Sequence, residues 1–431
     1  MRDIASHEPC RGKFAFLIHP TTLDDLYLSA PPAFEQFAPA ERAGWQDWIA
    51  SWSARHYEPG IAYHLPALHS RAGGYAEGWL LGIPLTPDQM MRLRPAQRTE
   101  LMAACVTLAK NLCVDILGLG AFTSIITRNG ADLDACGLNI TTGNSLTAMV
   151  AAESLKLAAH GRGLALQDAA VGIVGAAGSV GRLAAHHLAD TCANLTFFGN
   201  PANPQSLNKL EELAGEIYQA AARRVLDGTA TGGIATTLLS LEDWLTTVPD
   251  ALIDERAPSA YRAMYNAVKN RLFQQGAALP IALSVHPERD LPRMALLITA
   301  TSQGKSFIDV DLLRHGAVVC DVARPADVHA RLNGARSDLT VYEGGLLRLP
   351  EPVRFGRRNV IGCDAGVNLA CLSETMTLAL SGVRRNYSIG SAPPVDDARE
   401  VLHLARHHGF DIMAPALGNT EAGNASLTAI A

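Results

Sequence analysis

The chain has 431 residues, 48% of them hydrophobic and 18% charged, which is ample apolar material for buried cores and a length that predicts two or three domains. A net charge of −6, with the basic residues scattered, excludes the field needed to grip nucleic acid. The first residues carry charges and a proline where an export signal needs an apolar run, and no uncharged run is long enough to span a membrane, so a cytoplasmic protein without a transmembrane segment is expected. The eight cysteines contain no CxxC pair and no Cys/His cluster of zinc spacing, which predicts reduced thiols and no metal.

The first strand signal is Phe14 to Ile18, followed by the turn text His19-Pro20-Thr21-Thr22. Residues Pro31 to Gly74 read as a loop-rich flank, Trp79 to Ile83 as a strand and Pro87 to Leu112 as helical. A second unit begins near Leu164, with Ala170 to Val174 as a buried strand entering a glycine turn and the helix Val180 to Leu188. Further strands are predicted at Leu195 to Phe198, Ala295 to Ala300 and Ala317 to Cys320. A segment from about 219 to 278 interrupts this alternation and ends in a helix carrying Tyr261, Met264, Tyr265, Val268, Leu272 and Phe273. From Arg357 onward one long helical pattern runs through Cys371 to Leu380, and the closing GNTEAGNASLTAIA reads as a weakly ordered tail.

The expected fold class is therefore α/β. It comprises a Rossmann-like doubly wound parallel sheet over 164–350 with an insertion at about 219–278, an N-terminal α/β substrate domain over 1–163, and a C-terminal helical segment over 351–431.

Gly175, Gly178 and Gly181 form GxxGxxG directly after a strand and at the mouth of a helix, the context in which this pattern points to a dinucleotide. Glycine permits a sharp turn and close approach to a pyrophosphate, and the N–H groups at the helix start face the phosphates, with Ala177, Ser179 and Val180 on that edge. Asn200 follows the second strand, where LTFFGNPANPQSLNKL offers no acid for a ribose hydroxyl, so NADPH is expected over NADH. Thr299, Ala300 and Thr301 end a strand and are expected to line the cofactor cleft.

A thiolate is both a nucleophile and a reasonable leaving group, so it can accept an acyl group from a thioester. Cys105, Cys113 and Cys320 lie in apolar runs typical of core thiols, which leaves Cys371 and Cys363 as the contenders.

Five segments together resemble the long-chain acyl-acyl-carrier-protein reductases: LGLGAFTSII at 117–126, TTGNSLTA at 141–148, VGIVGAAGSVG at 171–181, NLACLSETM at 368–376 and HHGF at 407–410. The resemblance implies a fatty acyl group passed from acyl-carrier protein or acyl-CoA to Cys371 and released by NADPH hydride as an aldehyde, for a downstream enzyme to consume. It further implies that Phe122, Thr123, Ser124, Thr141, Thr142 and Asn144 border the reacting carbonyl, the Thr, Ser and Asn side chains as oxyanion donors or else as caps of local turns. His408 is implied as a proton donor or a helix-end cap. Arg262, Lys269, Arg271, Arg354, Arg357 and Arg358 are candidates for steering an acidic carrier protein, or a solvated face. Two alternatives stand beside the reductase: an NAD(P)-dependent dehydrogenase of a small carbonyl metabolite, and a non-catalytic NADPH-binding protein.

Overall fold

Four consecutive buried residues, Phe14 to Leu17, mark a strand covered on both faces, because successive side chains of a strand point to opposite sides. In the computed structural model, which describes residues 9–22, 25, 38–303, 306–328, 336–356 and 359–415, this is β1, Cys10–Ile18. It lies inside a five-stranded sheet with β2 (Gly60–His69), β3 (Tyr75–Gly82), β4 (Ile116–Leu119) and β5 (Asn139–Thr141), in the order β2-β3-β1-β4-β5. Only the β2–β3 pair is antiparallel.

Ala15 and Leu17 point to one face, into a cluster with Leu81, Met90, Leu101, Met102, Cys105, Leu117 and Ile140. The opposite face is covered by the helix Ala370–Leu380, in which every described side chain except that of Cys371 is buried. Glycines on that face admit the helix: a Cβ at Gly12 would stand 2.6 Å from the Ala379 carbonyl oxygen, and one at Gly118 would meet Thr375 Oγ1 at 2.1 Å.

Two local expectations change here. The flank read as loop-rich contains the helix Pro39–Ser53 as well as β2. The helix was hidden because Trp45, Trp48 and Trp52 face solvent, which inverts the usual apolar stripe. The helical text of 87–112 forms two helices, Pro87–Arg92 and Pro95–Asn111, because Pro95 holds Arg94 extended at ψ 153°.

In the second sheet, β6 (Ala170–Val174), β7 (Asn194–Phe198), β8 (Ile281–Ser284), β9 (Leu296–Thr299), β10 (Val318–Asp321) and β11 (Thr340–Glu343) are all parallel, in the order β11-β10-β9-β6-β7-β8. The segment expected as an insertion is part of the helical crossover from β7 to β8, which begins earlier, with the helix Ser206–Leu226, and ends with Pro258–Gln274. Those two helices pack against each other through Gly215, where a Cβ would stand 1.7 Å from the Tyr261 carbonyl oxygen. Phe273, expected on the apolar face, is 84% exposed, since it sits one position past buried Leu272.

The chain then returns to the first unit, with a small antiparallel sheet of β12 (Leu346–Arg348), β13 (Val367–Leu369) and β14 (Asp411–Ile412). The first unit thus combines Met1–Thr147 with Leu346–Met413, and Ala148–Gly345 belongs to the second. The C-terminal segment does not stand apart as the sequence suggested. The cysteine helix is also shorter than expected, starting at Ala370, because Gly362 and Gly366 turn the preceding chain at φ 75° and 80°. The closing tail after Pro415 lies outside the described residues.

Gly215→Ala separates two opposed effects. Alanine in a helix interior is intrinsically favoured by about 1 kcal/mol, whereas overlap with a fixed backbone carbonyl costs roughly 1–3 kcal/mol or more. The overlap at Tyr261 should win, so the urea midpoint of Gly215→Ala is expected to fall; an unchanged or raised midpoint would refute this packing.

Candidate active site

Cys371 is the second residue of its helix, placed there by β13, whose last residue, Leu369, is the extended N-cap at φ −71° and ψ 140°. Its thiol is half-buried and not in a disulfide. The first turn of a helix presents N–H groups without helical partners and the positive end of the macrodipole, both of which favour a thiolate. Burial has the opposite effect elsewhere, pushing the Cys105 thiol up to about 12 and the Cys320 thiol to about 11. Cys363, the other contender, is half-buried in the loop before β13, with its sulfur 3.9 Å from the Ile361 carbonyl oxygen.

The TTGN segment lies directly against Cys371. Gly143 has φ +75°, and a Cβ there would fall 2.3 Å from both Cα and Cβ of Cys371. Glu374, one turn along the same helix, is completely buried. Its carboxylate accepts from Thr141 Oγ1 at 2.5 Å, the Leu146 N–H at 2.6 Å and Ser388 Oγ at 2.6 Å. Desolvation outweighs the N–H and hydroxyl donors around it, so its pKa is held above the usual carboxylate value. Sequence reading noted Glu374 only as a polar neighbour of Cys371 on its helix and passed over Ser388, which, at φ 56°, left no sequence signal.

The hydroxyls expected at an oxyanion are directed elsewhere, and each has a single proton to give. Thr123 Oγ1 donates to the Gly120 carbonyl and Ser124 Oγ to that of Ala121, both at 2.7 Å. Thr141 donates to Glu374, and Thr142 Oγ1 to the Ser388 carbonyl at 2.7 Å. Asn144 opens the helix Asn144–Gly161, with its N–H 3.4 Å from Thr142 Oγ1. Phe122 donates its N–H to His19 Nε2 at 3.1 Å, and His19 Nδ1 lies 2.9 Å from the Pro20 carbonyl, an arrangement that fits a neutral ring protonated on Nδ1. Burial correspondingly lowers the His19 pKa.

His408 ends the helix Val395–His408, with Nδ1 2.8 Å from Ser70 Oγ and Nε2 2.8 Å from Ser381 Oγ. Its ring is thus hydrogen-bonded to serines of two other segments. Of the steering candidates, Arg262 pairs with Glu212 at 2.5 Å, Lys269 lies over the Tyr265 ring at 5.8 Å and Arg354 is exposed. Arg271 lies on the helix Pro258–Gln274, and Arg357 and Arg358 fall outside the described residues.

In the second unit, the glycine turn joins β6 to the helix Ser179–Ala189, whose N-cap is Gly178, without a side-chain cap. Gly175, at φ +79°, passes so close to the end of β9 that a Cβ would stand 2.7 Å from the Ala300 carbonyl oxygen. A Cβ at Gly181 would stand 2.3 Å from the Gly175 carbonyl oxygen. Ala177, Ser179 and Val180 are half-exposed around the turn. Thr299 is buried, Ala300 donates its N–H to Val174, and Thr301 gives its N–H and hydroxyl to buried Asp327 at 3.0 and 2.5 Å. Asn200 accepts the Ala202 N–H at 2.9 Å, as a turn former after β7. Neighbouring Asp321, desolvated at the end of β10, is pushed up to about 6.

No family model matches the chain. Over 401 residues, 92% of its length, it is 24% identical to "Aminotransferase PigE" of Serratia sp. (strain ATCC 39006), and it spans 39% of that relative. The name corrects the expectation drawn from the five motifs: it is that of an aminotransferase and not of an acyl-carrier-protein reductase. NADPH-dependent thioester reduction with aldehyde release is set aside with it, as are the dehydrogenase and NADPH-binding alternatives. The physical reason lies in the motifs themselves, whose glycines at 143, 175 and 181 answer to backbone packing and do not specify hydride chemistry.

Amino transfer as a class relies on pyridoxal phosphate held by a desolvated lysine. Among the described residues, Lys13 pairs with Glu77 at 2.9 Å and Lys156 with Glu153 at 3.1 Å. Lys110, Lys209 and Lys269 are exposed. None of these is a buried amine, so the described residues do not fit that group.

The titration of His408 gives a test of the site's frame. Burial lowers its pKa from 6.5 to about 4, so the folded state resists the proton that the unfolded chain accepts. Stability from this residue is complete above pH 6.5 and is lost as pH falls towards 4, on the order of 3 kcal/mol in all. Asp321 acts in the opposite sense, its contribution being lost as pH rises through about 6, so wild type must be compared with His408→Gln. Thermal melts from pH 7 to 4 are expected to fall more steeply for wild type than for the variant; parallel curves would refute the assignment.

Proposed function

We propose that the chain is an acyl-transfer enzyme whose nucleophile is Cys371. The observation that carries this reading is the position of the thiol in the first turn of a buried helix, with the backbone of Gly143 packed on its Cα and Cβ. The thiolate attacks a thioester carbonyl, the new C–S bond to Cys371 forms as the donor C–S bond breaks, and the donor thiol leaves with a proton from solvent. One thioester replaces another, so the exchange needs no oxidant, reductant or metal. Acyl-carrier protein or acyl-CoA is the proposed donor, and the eight cysteines, none of them in a disulfide, support a reducing compartment such as the cytoplasm. No helix among the described residues is long and apolar enough to cross a membrane.

For the second unit we propose a Rossmann-like doubly wound fold with a phosphate-bearing ligand at the glycine turn. Numbered from β6, its strands follow the order 6-5-4-1-2-3, and Gly175 lies at the carboxyl end of β6, where the order reverses. Ala177, Gly178, Ser179, Val180 and Gly181 are the residues proposed to meet the phosphate.

Intact-protein mass spectrometry after incubation with a long-chain acyl thioester is expected to show one acyl adduct, mapped to Cys371 and absent from Cys371→Ala. An adduct that persists in the variant, or none with any of several chain lengths, would overturn the proposal. Amino-group transfer is a second reading, favoured only by the relative's name. A borohydride-stable pyridoxyl mass on a lysine of this chain would support it over the first.

A further inference from the structure

Glu374 has more polar partners than packing requires. Its carboxylate is wholly buried, and its donors come from two separate stretches of chain: Thr141 and Leu146 on one, Ser388 on the other. The Gly143 N–H faces it as well. An ionised carboxylate has about four acceptor sites, so this set suits the charged form. An apolar side chain would fill the same space without the desolvation penalty of a buried ion.

We propose that Glu374 is the positioning residue of the Cys371 site, clamping the 141–146 segment onto the cysteine helix so that Gly143 fixes the direction from which Cys371 is approached. Residues three apart on a helix share a face, with Cβ atoms about 5–6 Å apart, so in this proposal an ionised Glu374 also raises the basicity of the thiol. A negative neighbour makes the thiolate harder to form and more nucleophilic once formed. The acylation part of this proposal rests on Cys371 being the acyl acceptor; the reactivity of the thiol towards a simple alkylating agent does not.

Glu374→Gln keeps the shape but turns an NH2 donor towards groups that are themselves donors. Two measurements are needed: the pH dependence of Cys371 alkylation by iodoacetamide, followed by mass spectrometry, and the rate of acylation against donor concentration. The alkylation profile of Glu374→Gln is expected to move towards acid by on the order of one pH unit. Saturated acylation should fall about tenfold or more, with the donor KM little changed. Glu374→Asp, which keeps the charge but not the reach, should restore the alkylation profile and not the acylation rate. If Glu374→Gln melts lower but keeps the wild-type profile and rate, Glu374 is structural only and the proposal fails. Should Glu374→Gln not fold, Ser388→Ala removes one donor and leaves the charge, and an unchanged acylation rate in that variant overturns the clamp. A wild type that alkylates with the expected dependence but never acylates defeats the acyl-transfer reading and leaves the effect of Glu374 on the thiol to be judged by its own profile.

Discussion

A carboxylate shut away from water must be given donors by the chain around it, and in the first unit that requirement falls at Glu374. Meeting it draws Thr141, Leu146 and Ser388 to one helix, and Ser388 adopts a left-handed backbone at φ 56° to take part. The same convergence lays Gly143 on Cys371 and directs the Thr142 hydroxyl to the Ser388 carbonyl. Residues that look in sequence like a row of independent hydrogen-bond donors are therefore parts of one buried network, with their protons already assigned.

Much of the framework was legible because it follows short-range rules. The runs at Phe14, Ala170 and Leu195 are continuous apolar text bounded by turn residues, and each is a strand. The GxxGxxG text lies where strand passes to helix, as its context indicated. What stayed hidden depends on long-range pairing. β5 and β13 are three residues long and have no periodicity to read. The helix with its tryptophans outward defeats any rule that sends apolar residues inside. Glu374 was visible as a letter in LSETM, but its burial depends on Ser388, fourteen residues on, and on a segment more than two hundred residues away. Charged residues are normally placed at the surface by default, and nothing local in the text overrides that default.

The motifs and the relative's name point to different chemistry, and physical reasoning explains how both arise. A glycine demanded by a carbonyl 2.7 Å from where its Cβ would stand tells of close packing, which many reactions share. The relative is longer than the stretch that matches, so its name describes a protein of which this chain corresponds to 39%. The described lysines offer no buried amine, whereas the Cys371 helix offers a half-buried thiol at a helix start, and chemistry assigned to these residues has to begin from that contrast.

The division of the first unit between the two ends of the chain governs the order in which the protein can be made. On a ribosome, β1 to β5 emerge early, yet the face of β1 bearing Phe14 and Phe16 has to wait for the helix Ala370–Leu380, encoded near the other end. The whole second unit is synthesised in that interval. Until the last stretch is released, an apolar sheet face stays open to water and to other chains, and Cys371 has not yet been made. Nascent chains stopped anywhere before residue 370 would therefore be prone to aggregate, and Cys371 is made only as the helix that closes the first sheet begins to emerge.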